Sequence, residues 1–327
     1  MMELSIPIIT LLIAFFSTLI LTKKWIEVAG KAGLVGKDMN KYTATKIPEA
    51  GGIAVILGFV FAVLIYIFFK TFYIGTEVHL IESLALLSAI ILSGLLGFVD
   101  DIIGWKVGLR QWQKPLLTIP IAIPLMVINA GHSVMNIPLM GEVDLGIIYP
   151  LLIIPIGIIG AANGFNMIAG FNGLEAGMGI IILSFLGIAS VITGNLWLTL
   201  IAFSMVAALF GFLIFNKYPA KVFPGDSLTY GVGSLIAMVT ILGNMERTGL
   251  ILFGPYFIEL ILKSRSKFKA ESFGLPLADG TLKPKYDKNY SLTHAIMRLG
   301  RFNEWQVVLI HYIIAILFGI VAISLLM

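Results

Sequence analysis

The sequence of 327 residues combines a hydrophobic fraction of 58% with a charged fraction of only 12%. Soluble domains carry about 25% charged residues, so this composition excludes an ordinary soluble protein and predicts an integral, multi-pass membrane protein. The net charge of +4 does not indicate a nucleic-acid partner, because the basic residues flank apolar segments. The absence of cysteine excludes disulfides, thiolate nucleophiles and cysteine-ligated metals.

Apolar runs long enough to cross a bilayer recur along the whole chain, since about 20 apolar residues span the hydrocarbon. They predict an all-α polytopic membrane protein with about ten transmembrane helices, forming a single integral membrane domain over 1–327. The predicted spans are 5–22, 51–69, 81–99, 115–130, 147–163, 176–193, 196–215, 228–244, 249–262 and 305–326.

Basic residues are distributed unevenly between the two sides of such a fold. Alternate connections hold 20 of the 22 lysines and arginines, and only Lys70 and Arg247 fall on the opposite side. Because cytoplasmic loops carry the excess of basic residues, these connections are predicted to be cytoplasmic, with both termini outside. The basic connections are 22–50, 100–114, 216–227 and 263–304.

Two segments between the spans have hairpin patterns. In the last cytoplasmic connection, Asp279 and Gly280 lie between alternating residues, a strong hairpin signal. We therefore predict that 264–304 folds into a structured cytoplasmic cap containing a small β-hairpin. Segment 131–146 has a turn-like glycine between short apolar runs and is compatible with an external hairpin.

Two adjacent aspartates, Asp100 and Asp101, follow the apolar run from Ile81 to Val99. Carboxylates are costly to desolvate, so the pair is expected at the water boundary or on a cation. The alternative is an ordinary solvated helix end. Adjacent residues on a helix point about 100° apart, so the two carboxylates are not expected to be interchangeable.

An asparagine- and glycine-rich stretch at 161–175 follows the fifth predicted span without any lysine or arginine. Glycines allow a ligand to approach the backbone closely, and asparagine amides can ligate a hard cation or contact a base. Spacings of three and six residues would place Asn163, Asn166 and Asn172 on one continuing helix face. The alternative is a simple re-entrant turn with helix caps.

Asp226 opens the eighth predicted span, where a helix cap is the alternative role. The predicted topology places Asp226, Asn166 and the aspartate pair at the same cytoplasmic boundary. Oxygen ligands from separate elements, without a cluster of histidine or cysteine, suit Mg²⁺, which binds through one or two carboxylates and substrate phosphates. The pattern therefore predicts a magnesium-dependent phosphate chemistry.

Positively charged residues lie on the same predicted side. A pyrophosphate clamp is one interpretation of these residues taken together, namely Lys114, Arg265 and Lys267. The alternative for each of them alone is an ordinary solvated basic residue of a cytoplasmic loop. Phe223 is placed to stack on a base or simply to pack. His294 is the one histidine on this side, so the others are assigned no chemistry.

Four motifs of the chain resemble those of the polyprenyl-phosphate N-acetylhexosamine-1-phosphate transferases, and they occur in the same order along the sequence. The resemblance covers most of the chain, and it is closest to the branch that uses UDP-N-acetylglucosamine (UDP-GlcNAc) and dolichyl phosphate in archaea and eukaryotes. At the last loop, Arg265-Ser-Lys267 departs from both the eukaryotic Arg-x-Arg and the bacterial histidine-rich motif. The matching motifs are KIPEAGG at 46–52, GFVDD at 97–101, NGFNMIAGFNGLE at 163–175 and VFPGD at 222–226.

The resemblance implies Mg²⁺, with Mn²⁺ as a substitute, held by Asp226 and Asn166. It further implies catalytic roles for Asp100 and Asp101, uridine contacts for Gly170, Asn172 and Phe223, phosphate or sugar contacts for Lys114, Arg265 and Lys267, and supporting roles for Glu49, Asn163, Glu175 and His294.

The implied reaction transfers GlcNAc-1-phosphate from UDP-GlcNAc to a polyprenyl or dolichyl phosphate and releases UMP, the first step of lipid-linked glycan assembly for protein N-glycosylation. The resemblance also implies a homodimer, and an archaeal source would place it in the cell membrane. Two alternatives are a bacterial-type undecaprenyl-phosphate sugar-1-phosphate transferase for cell-envelope polysaccharide and a membrane transporter. The residues leave open direct transfer or a covalent aspartyl intermediate.

Overall fold

The computed structural model of the protein describes residues 2–43, 45–103, 112–137 and 141–327. Most of this part is helical. Its helices are α1 (Met2–Ala32), α2 (Gly52–Phe68), α3 (Leu80–Ile103), α4 (Gln113–Leu117), α5 (Ile119–Val127), α6 (Ile154–Phe165), α7 (Leu174–Ile192), α8 (Leu196–Asn216), α9 (Gly225–Leu242), α10 (Glu246–Leu252), α11 (Gly254–Ser264), α12 (Leu292–Leu299) and α13 (Glu304–Ser324).

Seven of the described helices are long and apolar enough to cross a membrane: α1, α2 with its π-helical extension to Ile74, α3, α7, α8, α9 and α13. Two shorter apolar helical segments, Gln113–Val127 and Tyr149–Phe165, lie at the fourth and fifth predicted spans. These are the features of an integral, multi-pass membrane protein. The total of ten crossings and the outside position of both termini stay predictions.

The first helix is longer than its apolar run predicts. α1 continues past residue 22 and includes Lys23, Lys24 and Lys31. Hydropathy marks only the membrane part of a helix, whereas lysine, glutamate and alanine favour its continuation into water. Two other residues of the basic-residue count, Lys106 and Arg110, lie outside the described residues.

Short strands form three small antiparallel sheets. The predicted cap hairpin is confirmed, with its turn at Asp279 and Gly280, and a third strand pairs with it that the sequence pattern did not indicate. The hairpin-compatible segment 131–146 also contains a strand pair, whose turn at 138–140 lies outside the described residues. The strands are β1 (Val35–Lys37), β2 (Lys46–Pro48), β3 (Val134–Ile137), β4 (Gly141–Asp144), β5 (Gly274–Pro276), β6 (Thr281–Pro284) and β7 (Phe302–Asn303).

Helix α9 lies at the centre of the bundle. Its residues are buried from Ser227 to Ile241, and it packs against α2, α3, α6, α7, α8 and α10. Glycines make this dense packing possible, because a methyl group on Gly231 would lie 2.3 Å from Ile56 and one on Gly233 would lie 2.4 Å from the Ala161 carbonyl. Small residues at close helix contacts are typical of membrane bundles. The N-terminus of this central helix carries Asp226.

Candidate active site

Polar side chains from four helices converge at the N-terminus of α9. Asp100 on α3 is buried, and Lys114 on α4 lies between it and Asp226. The Lys114 Nζ atom is 2.8 Å from Oδ2 of Asp100 and 2.5 Å from Oδ2 of Asp226. Tyr230, one turn further along α9, donates its hydroxyl to Asp100 over 3.4 Å. We call Asp100, Asp101, Lys114, Asn166 and Asp226 the aspartate cluster.

Asparagines at the C-terminal end of α6 complete one side of the cluster. The Asn166 amide nitrogen donates to Oδ1 of Asp226 over 2.8 Å. Asn163, one turn earlier, donates to the Thr118 hydroxyl over 2.8 Å and so ties α6 to the helical segment that carries Lys114. Both asparagines therefore lie at the cluster, Asn166 by direct contact and Asn163 through its neighbour.

Asp101 has different partners from Asp100. Its two carboxylate oxygens accept from the backbone N–H groups of Asp226 (2.6 Å) and Ser227 (3.2 Å). These N–H groups belong to the first turn of α9, whose helical hydrogen bonding leaves them without an internal acceptor. Asp101 therefore caps α9 from α3 and holds the backbone of Asp226 in place.

Close backbone approach makes this capping possible. A methyl group on Gly97 would lie 2.5 Å from backbone atoms of Asp226 and Ser227. Gly225 has a φ of +70°, and a methyl group there would meet the Asp101 carboxylate at 2.3 Å. Glycine is required at both positions, because any side chain would separate α3 from α9 or displace the carboxylate.

We expect Gly97→Ala to destabilise the protein, because its methyl group would meet backbone rather than a flexible side chain. Overpacking of this kind costs about 1–3 kcal/mol. The matched control is Gly30→Ala in α1, where nothing lies within 4 Å of the added methyl group. Thermal unfolding in detergent should show a lower midpoint for Gly97→Ala and no decrease for Gly30→Ala. Equal midpoints would contradict the close packing of α3 on α9.

The glycine-rich segment after α6 is a loop rather than a continued helix. The prediction that Asn163, Asn166 and Asn172 share one helix face is wrong, because α6 ends at Phe165 and Asn172 lies before α7. In this loop Gly170 and Gly173 have φ values of +97° and +87°, a left-handed conformation that favours glycine and does not continue a helix.

From the first turn of α7, the buried Glu175 carboxylate accepts from the Gly170 N–H of this loop over 2.8 Å. Asn172 is buried as well and has contacts separate from the aspartate cluster. Glu175 thus supports the loop, while Gly170 and Asn172 lie on its path. The uridine contacts that the resemblance implies for the loop stay predictions.

The segment around Glu49 packs against the turn that leads into α9. The Phe223 N–H donates to the Pro48 carbonyl (2.8 Å), and its own carbonyl accepts from Gly51 (2.9 Å). Burial raises the pKa of the Glu49 carboxyl above its usual range. Phe223 is half-buried, so part of its ring surface remains available to a ligand.

The cap residues are placed differently from the aspartate cluster. Arg265 and Lys267 follow α11 and are exposed, and Arg265 donates to the Asn289 carbonyl over 3.4 Å. Within the described residues, no contact joins either side chain to the cluster. His294 on α12 is fully buried inside the cap, and burial lowers the pKa of its ring to about 4. The ring is therefore neutral at pH 7.

Several polar residues that were not among the predicted site residues lie at or beside these groups. Tyr230 follows Asp226 by one helical turn, and this spacing would have indicated that the two side chains lie on the same face of α9. The charged run at 37–41 also offered a signal, whereas Glu304 looked like an ordinary acidic residue at a helix start. The missed residues are Asp38, Asn40, Lys41, Thr118, Tyr230 and Glu304.

The donor atoms of the aspartate cluster fit Mg²⁺. Two carboxylates, Asp100 and Asp226, share the single ammonium group of Lys114, which leaves excess negative charge. Asn166 can present its amide oxygen after the amide turns over. Among the described residues, no three His, Cys, Asp or Glu side chains form a complete metal site. Mg²⁺ does not need one, because it commonly keeps waters and shares its coordination with substrate phosphates.

An apolar cavity of about 370 Å³ lies between α6, α9, α10 and α11. Gly164 and Met167, on either side of Asn166 in the sequence, line the end near the cluster, and Phe253 and Tyr256 line its wall. The lining is almost entirely apolar, which fits a hydrocarbon chain. A cavity that fits a hydrocarbon chain therefore lies next to the aspartate cluster, whose charges and Mg²⁺-compatible ligands fit phosphate groups.

Comparison with protein-family models gives a match to glycosyl transferase family 4 over residues 83–244. This range contains the whole aspartate cluster and the loop between α6 and α7. Matches to individual proteins extend over most of the chain.

A protein of Saccharolobus solfataricus, named a putative UDP-N-acetylglucosamine–dolichyl-phosphate N-acetylglucosaminephosphotransferase, is 41% identical over 327 residues, 97% of this chain and 96% of that protein. A Dictyostelium discoideum protein named for the same activity is 31% identical over 72% of this chain and 66% of its own length. A phospho-N-acetylmuramoyl-pentapeptide-transferase of Halalkalibacterium halodurans is 30% identical over 88% of this chain and 86% of its own length.

Proposed function

Because the chain belongs to glycosyl transferase family 4 and is an enzyme of the phosphotransferase class, we propose that it transfers GlcNAc-1-phosphate from UDP-GlcNAc to a polyprenyl phosphate of the dolichyl type. UMP is the second product. The observation that carries the proposal is the convergence of Asp100, Lys114, Asn166 and Asp226 from separate helices. The names of the archaeal and Dictyostelium relatives support the choice of substrates.

Each part of the site has a place in this reaction. Asp226 and Asn166 would hold Mg²⁺, which when bound supplies charge neutralisation on the diphosphate of the nucleotide sugar. Lys114 offers its ammonium group to the phosphate of the lipid, and Asp100 orients that ammonium group through their ion pair. The apolar cavity beside Met167 would receive the hydrocarbon chain of the lipid.

We propose direct attack of the lipid phosphate on the sugar-linked phosphorus. A phosphomonoester has its second pKa at about 6, so the acceptor is mostly ionised at neutral pH and needs alignment more than a strong base. Asp101 is occupied by the backbone of α9, which makes it a poor nucleophile. Incubation with labelled UDP-GlcNAc in the absence of lipid tests this step, because a covalent phosphate adduct on Asp100 or Asp101 would contradict it.

The function itself is tested by UMP release from UDP-GlcNAc with the purified protein in detergent. Release is expected to require both a divalent cation and a polyprenyl phosphate. A panel pairing UDP-GlcNAc or UDP-N-acetylmuramoyl-pentapeptide with dolichyl or undecaprenyl phosphate separates the proposal from a bacterial-type transferase. Transport of a substrate into vesicles without UMP release would instead identify a transporter.

Lys114→Ala is expected to raise the KM for polyprenyl phosphate by about 10- to 100-fold, the effect of losing one charge-assisted contact. The KM for UDP-GlcNAc should change much less, because the proposed partner of Lys114 is the lipid phosphate. The control is Lys288→Ala, at an exposed position of the cap. Initial rates measured against each substrate in turn provide the comparison. An unchanged lipid KM would remove Lys114 from this role.

We further propose that the aspartate cluster faces the cytoplasm, since 20 of the 22 basic residues fall on one set of connections. The natural absence of cysteine allows a direct test with single cysteines. In intact cells, an impermeant maleimide should label Arg247→Cys and leave Lys221→Cys unlabelled until the membrane is opened. The reverse pattern would invert the topology. We also propose a homodimer, which the mass of the detergent-solubilised protein measured by light scattering would test.

A further inference from the structure

A second buried polar group surrounds the loop between α6 and α7, and we call it the loop anchor. Four of its side chains are almost completely shielded: Asp38 is 2% exposed, Asn40 4%, Asn172 3% and Glu304 3%. Polar groups buried to this degree are retained where their hydrogen bonds are satisfied, so the contacts among them define the position of the loop. The loop anchor consists of Asp38, Asn40, Lys41, Asn172 and Glu304.

Asn172 is held at three points. Its backbone N–H donates to Oε1 of Glu304 (2.8 Å), at the start of α13. Its side-chain nitrogen donates to Oδ2 of Asp38 (3.3 Å), and its side-chain oxygen accepts from the Ala220 N–H (2.8 Å). Three distant parts of the chain therefore fix both the backbone and the amide orientation of this residue.

Asn40 joins the same loop to the cap. Its side-chain nitrogen donates to the Gly170 carbonyl (2.9 Å), and its side-chain oxygen accepts from the Gly274 N–H (3.1 Å) at the start of β5. The left-handed conformation of Gly170 is thereby connected to the cytoplasmic cap through a single buried amide. Movement of the cap would displace the loop.

Lys41 supplies the positive charge of the loop anchor. Its ammonium group forms an ion pair with Glu304, lies 3.7 Å from Oδ2 of Asp38 and stands 3.7 Å above the ring of Tyr218. Two buried carboxylates thus share one ammonium group. Removal of one partner of a buried ion pair is far more damaging than removal of both, because the remaining charge is left without compensation.

We infer that Lys41 and Glu304 are positioning residues for the nucleotide sugar. Their ion pair fixes the loop that carries Gly170 and Asn172 before any ligand arrives. This inference rests on the proposed function, in which the uridine contacts that loop. A loop that is fixed in advance loses less conformational freedom on binding. The pair therefore lowers the KM for UDP-GlcNAc and leaves the KM for the lipid unaffected.

The test compares Lys41→Met, Glu304→Gln and the double variant in the UMP-release assay. Lys41→Met should raise the KM for UDP-GlcNAc by about tenfold or more, with kcat and the lipid KM within about twofold of the unmodified protein. Glu304→Gln should act in the same direction. The double variant should recover part of the loss of Lys41→Met, because it leaves one buried carboxylate, Asp38, without the ammonium group instead of two. Binding of UDP-GlcNAc without lipid, measured by calorimetry, should follow the KM values.

Lys285→Met provides the matched control, because Lys285 forms an ion pair with Glu271 at 2.8 Å on the exposed surface of the same cap. Its KM values should stay unchanged. The inference is overturned if Lys41→Met raises both KM values alike, lowers kcat alone, or is not improved by the second substitution. If Lys41→Met does not fold, Glu304→Gln decides, since an unchanged nucleotide KM there rejects the inference. An inactive unmodified protein would reject the proposed function itself.

Discussion

Asp226→Ala is expected to abolish transfer while leaving the protein folded. The carboxylate contacts Lys114 at 2.5 Å and Asn166 at 2.8 Å, so it links the proposed lipid-phosphate contact to the other proposed ligand of the cation. It is also the proposed ligand of the divalent cation. Alanine removes both functions and retains the backbone N–H that Asp101 accepts. We expect the rate of UMP release to fall by about 10³-fold or more, since groups that stabilise transferring charge have effects of about this size.

Two measurements distinguish this result from a folding defect. The thermal unfolding midpoint of Asp226→Ala should stay close to that of the unmodified protein, because the side chain lies at the edge of the buried core with 19% of its surface exposed. Mn²⁺ binding followed by electron paramagnetic resonance should weaken strongly. Asp287→Ala, at an exposed position of the cap, serves as the control for loss of a carboxylate. Transfer within tenfold of normal would reject the central role of Asp226.

The sequence allowed the membrane class, the position of most helices and the cap hairpin to be predicted, because each depends on local patterns. Apolar runs identify spans by length alone, and Asp279-Gly280 identifies a turn from two residues. The motifs also brought Asp100, Asn166 and Asp226 into one hypothesis, and the structure places these side chains together. Their chemical roles stay predictions.

Contacts between distant residues could not be predicted in this way. Lys41 and Glu304 are 263 positions apart, and no local periodicity relates them. α6 ends at Phe165 and is followed by a loop in which Gly170 and Gly173 adopt left-handed conformations, while the spacing of the asparagines suggested a continued helix. The capping of α9 by Asp101 likewise depends on how closely α3 approaches at Gly97, which only the packed structure reveals.

The adjacent aspartates of α3 should respond differently to the same substitution. Asp100→Asn removes the negative charge that orients Lys114 at 2.8 Å, so it should lower kcat/KM for the polyprenyl phosphate by about tenfold or more with little change in stability. Asp101→Asn places an amide nitrogen where the carboxylate accepts from two backbone N–H groups of α9. One of these contacts becomes a clash between donors.

Loss of such a cap typically costs about 0.5–2 kcal/mol of stability, and the displaced backbone carries Asp226 with it. Asp101→Asn should therefore lower both the unfolding midpoint and the rate, whereas Asp100→Asn should lower the rate alone. Unfolding and UMP release measured on the same preparations give the comparison. Asp101→Glu is the control, because it keeps the negative charge but changes the length of the side chain. If the two asparagine variants lose stability and activity in equal proportion, the division between an orienting carboxylate and a capping carboxylate is wrong. A selective loss of stability at Asp101 would mean that its contribution to the reaction passes through the position of Asp226.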